Sequence, residues 1–99
     1  MNIATLMDLA RQRAKIRSDR HMAMRLELAS STMSFWRRGN SIPSPSHLIS
    51  LCDLADIPPE VGLAWRTVWQ AEGDAKSICI RIAEEVTETH GISLPSEAA

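Results

Sequence analysis

Eight cations stand within residues 1–43, Arg11, Arg13, Lys15, Arg17, Arg20, Arg25, Arg37 and Arg38, against Asp8, Asp19 and Glu27, a net of about +5. All but one of them are arginines, whose planar fork makes bidentate contacts with phosphates and base edges, so this half is written for a polyanion. Among them lie Ser30, Ser31 and Ser34, hydroxyls that can both donate and accept hydrogen bonds. From residue 44 onward the balance inverts: Arg66, Lys76 and Arg81 face Asp53, Asp56, Glu60, Glu72, Asp74, Glu84, Glu85, Glu88 and Glu97, a net of about -6. The formal total of -1 therefore conceals two opposed halves.

Other chemistries lack their residue patterns. His21, His47 and His90 are far apart and have no ligand spacing with Cys52 or Cys79, so no metal site and no cofactor are expected. The two cysteines form neither a C-x-x-C motif nor a disulfide framework and read as buried free thiols. The three serines have no nearby His and carboxylate in a relation that would activate a nucleophile. Glu84, Glu85 and Glu88 on one amphipathic helix read as a solvated face rather than as paired catalytic carboxylates. An enzyme is not expected.

The chain of 99 residues has room for one modest core. Its 44% hydrophobic and 23% charged residues are those of a globular protein, not of a disordered or collagen-like chain. No apolar run is long enough to span a bilayer, and the N-terminus lacks the sections of a signal peptide, so no membrane partner and a cytoplasmic location are expected.

The elements that must carry these residues all read as helix, because period-two alternation is nowhere sustained and no Asn-Gly or Asp-Gly hairpin signal occurs. Leu6, Leu9, Ala10 and Ala14 recur at helical spacing and predict a first helix over Ile3 to Lys15. Ser18 is placed to cap a second, with Met22, Ala23 and Leu26 inward, and a third short helix runs through Met33 and Trp36 to about Arg38, where Gly39 ends it. Asn40 to Pro45 is a loop; Ser44 and Pro45 then cap and open a fourth helix whose stripe is Leu48, Leu51, Cys52 and Ala55. Pro59 starts a fifth, with Val61, Ala64, Trp65, Val68 and Trp69 inward. After Gly73, with Asp74 as its cap, a sixth runs from about Ala75 to Thr89 with Ile78, Ile82 and Val86 along one stripe. The tail 92–99 is expected to be loose.

Two short helices that cross steeply need a small residue where their backbones approach, here Ala23, and apolar plugs in the angle between them, here Met22, Leu26, Leu28, Met33 and Trp36. The run Met22-Ala23-Met24-Arg25-Leu26-Glu27-Leu28-Ala29-Ser30-Ser31-Thr32-Met33-Ser34-Phe35-Trp36-Arg37-Arg38-Gly39, followed by Ile42-Pro43, resembles the helix-turn-helix of the Cro/repressor (XRE-like) transcription regulators. The family pattern is L-A-x-x-L-G-V-S-x-x-T-V-S-x-W/Y-x-x-G-x-x-x-P, and the likeness extends over roughly residues 3 to 72. Two positions depart from it. Glu27 stands where the family prefers glycine, at a cost of order 1 kcal/mol if its φ is positive. Ala29 replaces the usual serine cap, which leaves Ser30 or Ser31 to do the capping.

The resemblance implies an all-α fold with a five-helix lambda-repressor-like DNA-binding domain over 1–72; the C-terminal helix over 73–91 lies beyond it, and its apolar stripe must be buried either against the body of the same subunit or, as a dimerisation element, against the equivalent helix of a second one. It implies that the third helix lies in the major groove of double-stranded DNA, with the second across the phosphates. Ser30, Ser31, Ser34, Phe35 and Arg38 are then the base-contact candidates, although Phe35 also reads as a second core aromatic beside Trp36. Arg17, Ser18, Arg20, Arg37, Asn40 and Ser41 are the phosphate-contact candidates, and Ile78, Ile82 and Val86 the dimer interface. The function implied is a small phage or mobile-element repressor binding a two-fold symmetric operator as a homodimer. The alternatives are a DNA-binding antitoxin whose acidic C-terminal half holds a protein partner, and a helix-turn-helix-derived inhibitor that binds protein rather than DNA.

Overall fold

A computed structural model describes residues 1–95. It is all-helical among these residues, with α1 (Ile3–Ala14), α2 (Asp19–Arg25), α3 (Ser30–Arg37), α4 (Pro45–Ala55), α5 (Pro59–Gln70) and α6 (Asp74–Thr89). No helix is long and apolar enough to cross a membrane.

Three helices open on a side-chain cap that satisfies an otherwise orphaned backbone donor. Asn2 accepts from the Thr5 amide, Ser18 from that of His21 and Ser44 from that of His47. Two expected caps are absent. Asp74 is the first residue of α6 and does not cap it; Gly73, at φ 59°, occupies the cap position. α3 opens on Ala29, which offers no side-chain bond, and Ser30 and Ser31 lie within the helix with their side chains in solvent rather than capping it.

Every helix but α5 ends on the same closure. After α2 the amide of Leu28 bonds to the Ala23 carbonyl and that of Glu27 to Met24; after α3 Asn40 bonds to Phe35 and Gly39 to Trp36. This paired bond needs a left-handed residue at its centre, which favours glycine. Gly39 supplies it after α3 at φ 75°, whereas Glu27 after α2 (φ 58°) and Asp56 after α4 (φ 56°) adopt it despite their side chains.

One core joins all six helices, and its fully buried centre is Leu6, Met7, Met22, Met33, Leu48, Leu51, Cys52 and Val61. α4 lies between α1 and α5, the α2–α3 pair packs on itself and on α1, and α6 packs on α5. α4 and α5 approach so closely at Gly62 that a Cβ there would be driven into Cys52 Sγ. The same burial pushes the Cys52 thiol from near 9.0 up to about 11, only partly offset by its hydrogen bond with the Gly62 backbone.

α6 turns only part of its apolar stripe towards the body of the chain. Ala83 and Thr87 are buried, with Cys79, Ile80 and Val86 half-buried beside them, while Ile78 and Ile82 remain 50% and 51% exposed. The reason is a polar anchor: the Trp65 indole N–H donates to Thr87 Oγ1 at 2.9 Å, and that hydroxyl donates to the Ala83 carbonyl at 2.7 Å. Satisfying the buried indole rotates the helix so that a threonine, rather than an isoleucine, faces the core. Beyond α6, Ile92 and Leu94 pack on the core instead of hanging loose, and residues 96–99 of the expected tail lie outside the described residues.

Candidate nucleic-acid interface

The α2–α3 unit is placed by packing on one side and by an ion cluster on the other. Met22, Ala23, Met33 and Trp36 are buried, and Leu26 and Leu28 half-buried, in the pattern expected for two short helices wedged together. The Trp36 ring also meets His47 of α4, with centroids 6.0 Å apart. Arg37 ties three helices together. Its Nε and Nη2 donate to the two carboxylate oxygens of Asp19 at 2.7 and 2.8 Å, and its Nη1 donates to Asp8 at 2.7 Å. Bidentate charge-assisted bonds of this kind are among the stronger polar contacts a protein makes. The bond to Asp19 foremost, and then that to Asp8, raises the guanidinium above its ordinary range in spite of partial burial.

Arg37 is therefore no phosphate-contact candidate: its fork is already filled, a pairing across 18 and 29 residues of chain that no local pattern announces. Two further N-terminal arginines are engaged by backbone carbonyls. Arg11 donates to the Arg17 carbonyl at 2.7 Å and lies 3.7 Å from Asp19, and Arg13 donates to the Ala55 carbonyl at the end of α4 at 2.7 Å. Ser18 spends its hydroxyl on the cap of α2 and is half-buried.

The remaining cations face water. Arg17, Arg20 and Arg38 are exposed, as are Lys15 and Arg25, which sequence reasoning did not single out; none of the five has an ion-pair partner among the described residues. The missed pair carried no signal beyond charge. Asn40 and Ser41 are exposed in the turn that follows Gly39.

On α3 the outward face is Ser30, Ser31, Ser34, Phe35 and Arg38, all exposed. Phe35, at 46% exposure, belongs to this surface and not to the core, which resolves its two readings. The Arg38 guanidinium carbon lies 5.6 Å from the Phe35 ring centroid, and Arg38 Nε donates to the Ser34 carbonyl at 3.3 Å. The face thus combines hydroxyls, an aromatic edge and a charged fork, which are groups that can meet base edges in a groove.

At the other end, Ile78 and Ile82 stand in solvent on α6 while Val86, expected beside them, packs on the core. No set of His, Cys, Asp and Glu side chains among the described residues could hold a metal ion. No family model matches the chain, and no curated protein or solved structure matches it.

Proposed function

We propose that this chain is a sequence-specific double-stranded DNA-binding transcriptional regulator, a helix-turn-helix protein of the Cro/repressor type. In this reading α3 enters the major groove, Ser30, Ser31, Ser34, Phe35 and Arg38 meet base edges, and Arg17, Arg20, Asn40 and Ser41 hold phosphates. Occupying promoter DNA represses transcription. The observation that carries the reading is the outward face of α3: polar, aromatic and cationic groups left in solvent on a helix fixed from behind by Trp36 and the Arg37 cluster. Exposed side chains on a rigidly seated helix suit recognition, since little further ordering is needed on binding.

Selection of bound sequences from random duplex DNA, using the full chain at moderate salt, tests it. An enriched site is expected, and its two halves separated by one turn of DNA, about 34 Å, would reflect a dimer. Failure to enrich any sequence overturns the reading. A homodimer through the outward face of α6 accompanies the proposal, because Ile78 and Ile82 leave apolar area uncovered. A light-scattering mass of one chain at micromolar concentration, unchanged by DNA, overturns that part alone. The same exposed isoleucines, set among the carboxylates of α6, favour as second reading an antitoxin whose acidic half seats a protein partner.

A further inference from the structure

Arg38 is one helical turn beyond Phe35, and the structure does not leave it waving in solvent. Its guanidinium lies over the Phe35 ring at 5.6 Å, and its Nε is taken by the Ser34 carbonyl at 3.3 Å. The two terminal nitrogens are not used by either contact. What remains is a fork with one edge free, its plane steadied by an aromatic ring whose own edge is exposed. Arginine otherwise loses much side-chain freedom on docking, and a platform of this kind removes part of that cost in advance.

We propose that Phe35 and Arg38 act as one composite reader of two adjacent base pairs, a thymine beside a guanine, with the C5-methyl of the thymine as the group Phe35 detects. The inference rests on the DNA-binding reading above and deepens it. A free guanidinium edge matches the O6 and N7 acceptors of guanine, and an apolar ring matches the thymine methyl, the one apolar group in the major groove. Successive bases on a strand are about 3.4 Å apart, and the ring centroid and the guanidinium carbon are 5.6 Å apart, more than one step, so the two groups fall on different bases, adjacent ones at the nearest. The serine hydroxyls of Ser30, Ser31 and Ser34 can pair with nearly any base edge, so the Phe35 and Arg38 pair carries the sharpest discrimination on this helix. Cytosine methylated at C5 presents the same methyl and is read as thymine is.

The test uses the full chain and the site recovered from random DNA, with affinities measured by fluorescence anisotropy at fixed salt. Replacing the thymine by deoxyuridine removes only the methyl, and replacing the guanine by 7-deazaguanine removes only N7. Each is expected to weaken binding, the second about tenfold, in line with the discrimination of a good bidentate pair. F35A is expected to abolish the methyl effect and to shrink the 7-deazaguanine effect as well, because the fork has lost its platform. R38K keeps the charge but lacks the planar fork and its seat on Phe35, and is expected to weaken the guanine preference. A recovered site without adjacent thymine and guanine, a deoxyuridine duplex bound as tightly as the parent, or an undiminished 7-deazaguanine effect in F35A overturns the composite reader while leaving DNA binding intact. Recovery of no site at all overturns both.

Discussion

α3 and α6 are both amphipathic helices that keep large apolar side chains in solvent, yet the molecule holds them by different means. α3 is seated by a buried tryptophan, a buried methionine and an arginine that grips two other helices. α6 rests chiefly on α5, through Ala83 and the bond between Trp65 and Thr87. The outward faces differ in kind as well: hydroxyls, an aromatic ring and a fork on α3, aliphatic side chains among carboxylates on α6. A helix that must present groups to a fixed lattice of acceptors needs its rotation locked from several directions. A helix that offers an apolar stripe tolerates a single supporting neighbour, because burial of apolar area has no directional requirement.

Breaking the two anchors separately gives the largest contrast. Trp36→Ala is expected to cost about 3 to 5 kcal/mol of stability and to abolish DNA binding. Thr87→Val leaves the buried indole N–H of Trp65 without its partner and is expected to cost about 1 to 3 kcal/mol, with the DNA affinity of the folded fraction unchanged. Chemical unfolding read beside anisotropy distinguishes them, and equal loss of affinity in both variants would remove the contrast.

The core shared by the two regions can be probed through Cys52. A thiol raised from near 9.0 to about 11 by burial binds its proton more tightly in the folded chain. Stability is then fully present below about pH 9 and falls between pH 9 and 11, by on the order of 2 kcal/mol. The chain contains no tyrosine to titrate in the same window. Urea midpoints across this range should slope downward in the native protein and lie nearly flat in C52A.

Two neighbouring arginines sharpen the comparison further. Arg37→Ala should lower stability by about 1 to 3 kcal/mol, chiefly by leaving the half-buried Asp19 without its bidentate partner, whereas Arg38→Ala should change it by less than about 0.5 kcal/mol and weaken DNA binding about tenfold or more. Melting curves that fail to separate the two variants would place them in one class. The smallest effect is expected at the turn before α3. Glu27→Gly relieves a left-handed conformation and should gain up to about 1 kcal/mol without altering DNA preference, as measured by thermal melting and competition binding.

Much of the fold is legible in the chain because its signals are local. Ser18 and Ser44 announce their helices by capping them, Gly39 ends α3, and the small residue Ala23 sits where α2 and α3 approach. The parts that escape the sequence depend on partners distant along it. Ile78, Ile82 and Val86 form the most apolar stripe of α6, but the demand of one indole N–H in α5 outweighs it and turns Thr87 inward. Arg37 counts as a cation in any tally of charge, and only the folded chain brings Asp8 and Asp19 to its fork. The outward position of Phe35 escapes the sequence for a related reason: adjacent helical residues such as Leu6 and Met7 can both be buried, so periodicity over so short a helix does not place Phe35 beside Trp36 in the core or outside it.

The arginines engaged within the fold have a consequence for the ion atmosphere around the molecule. Of the eight cations in the N-terminal half, Arg11, Arg13 and Arg37 spend donors within the fold, and Lys15, Arg17, Arg20, Arg25 and Arg38 stand exposed without an ion-pair partner among the described residues. Each phosphate neutralised on duplex DNA frees roughly 0.9 of a condensed counterion. On the proposed DNA-binding reading, the carboxylates of Asp8 and Asp19 withdraw Arg37 from that release, whereas Arg13, exposed and bonded only to backbone carbonyls, keeps its charge available, so the folded molecule carries a somewhat smaller entropic reserve for indiscriminate binding than its sequence suggests.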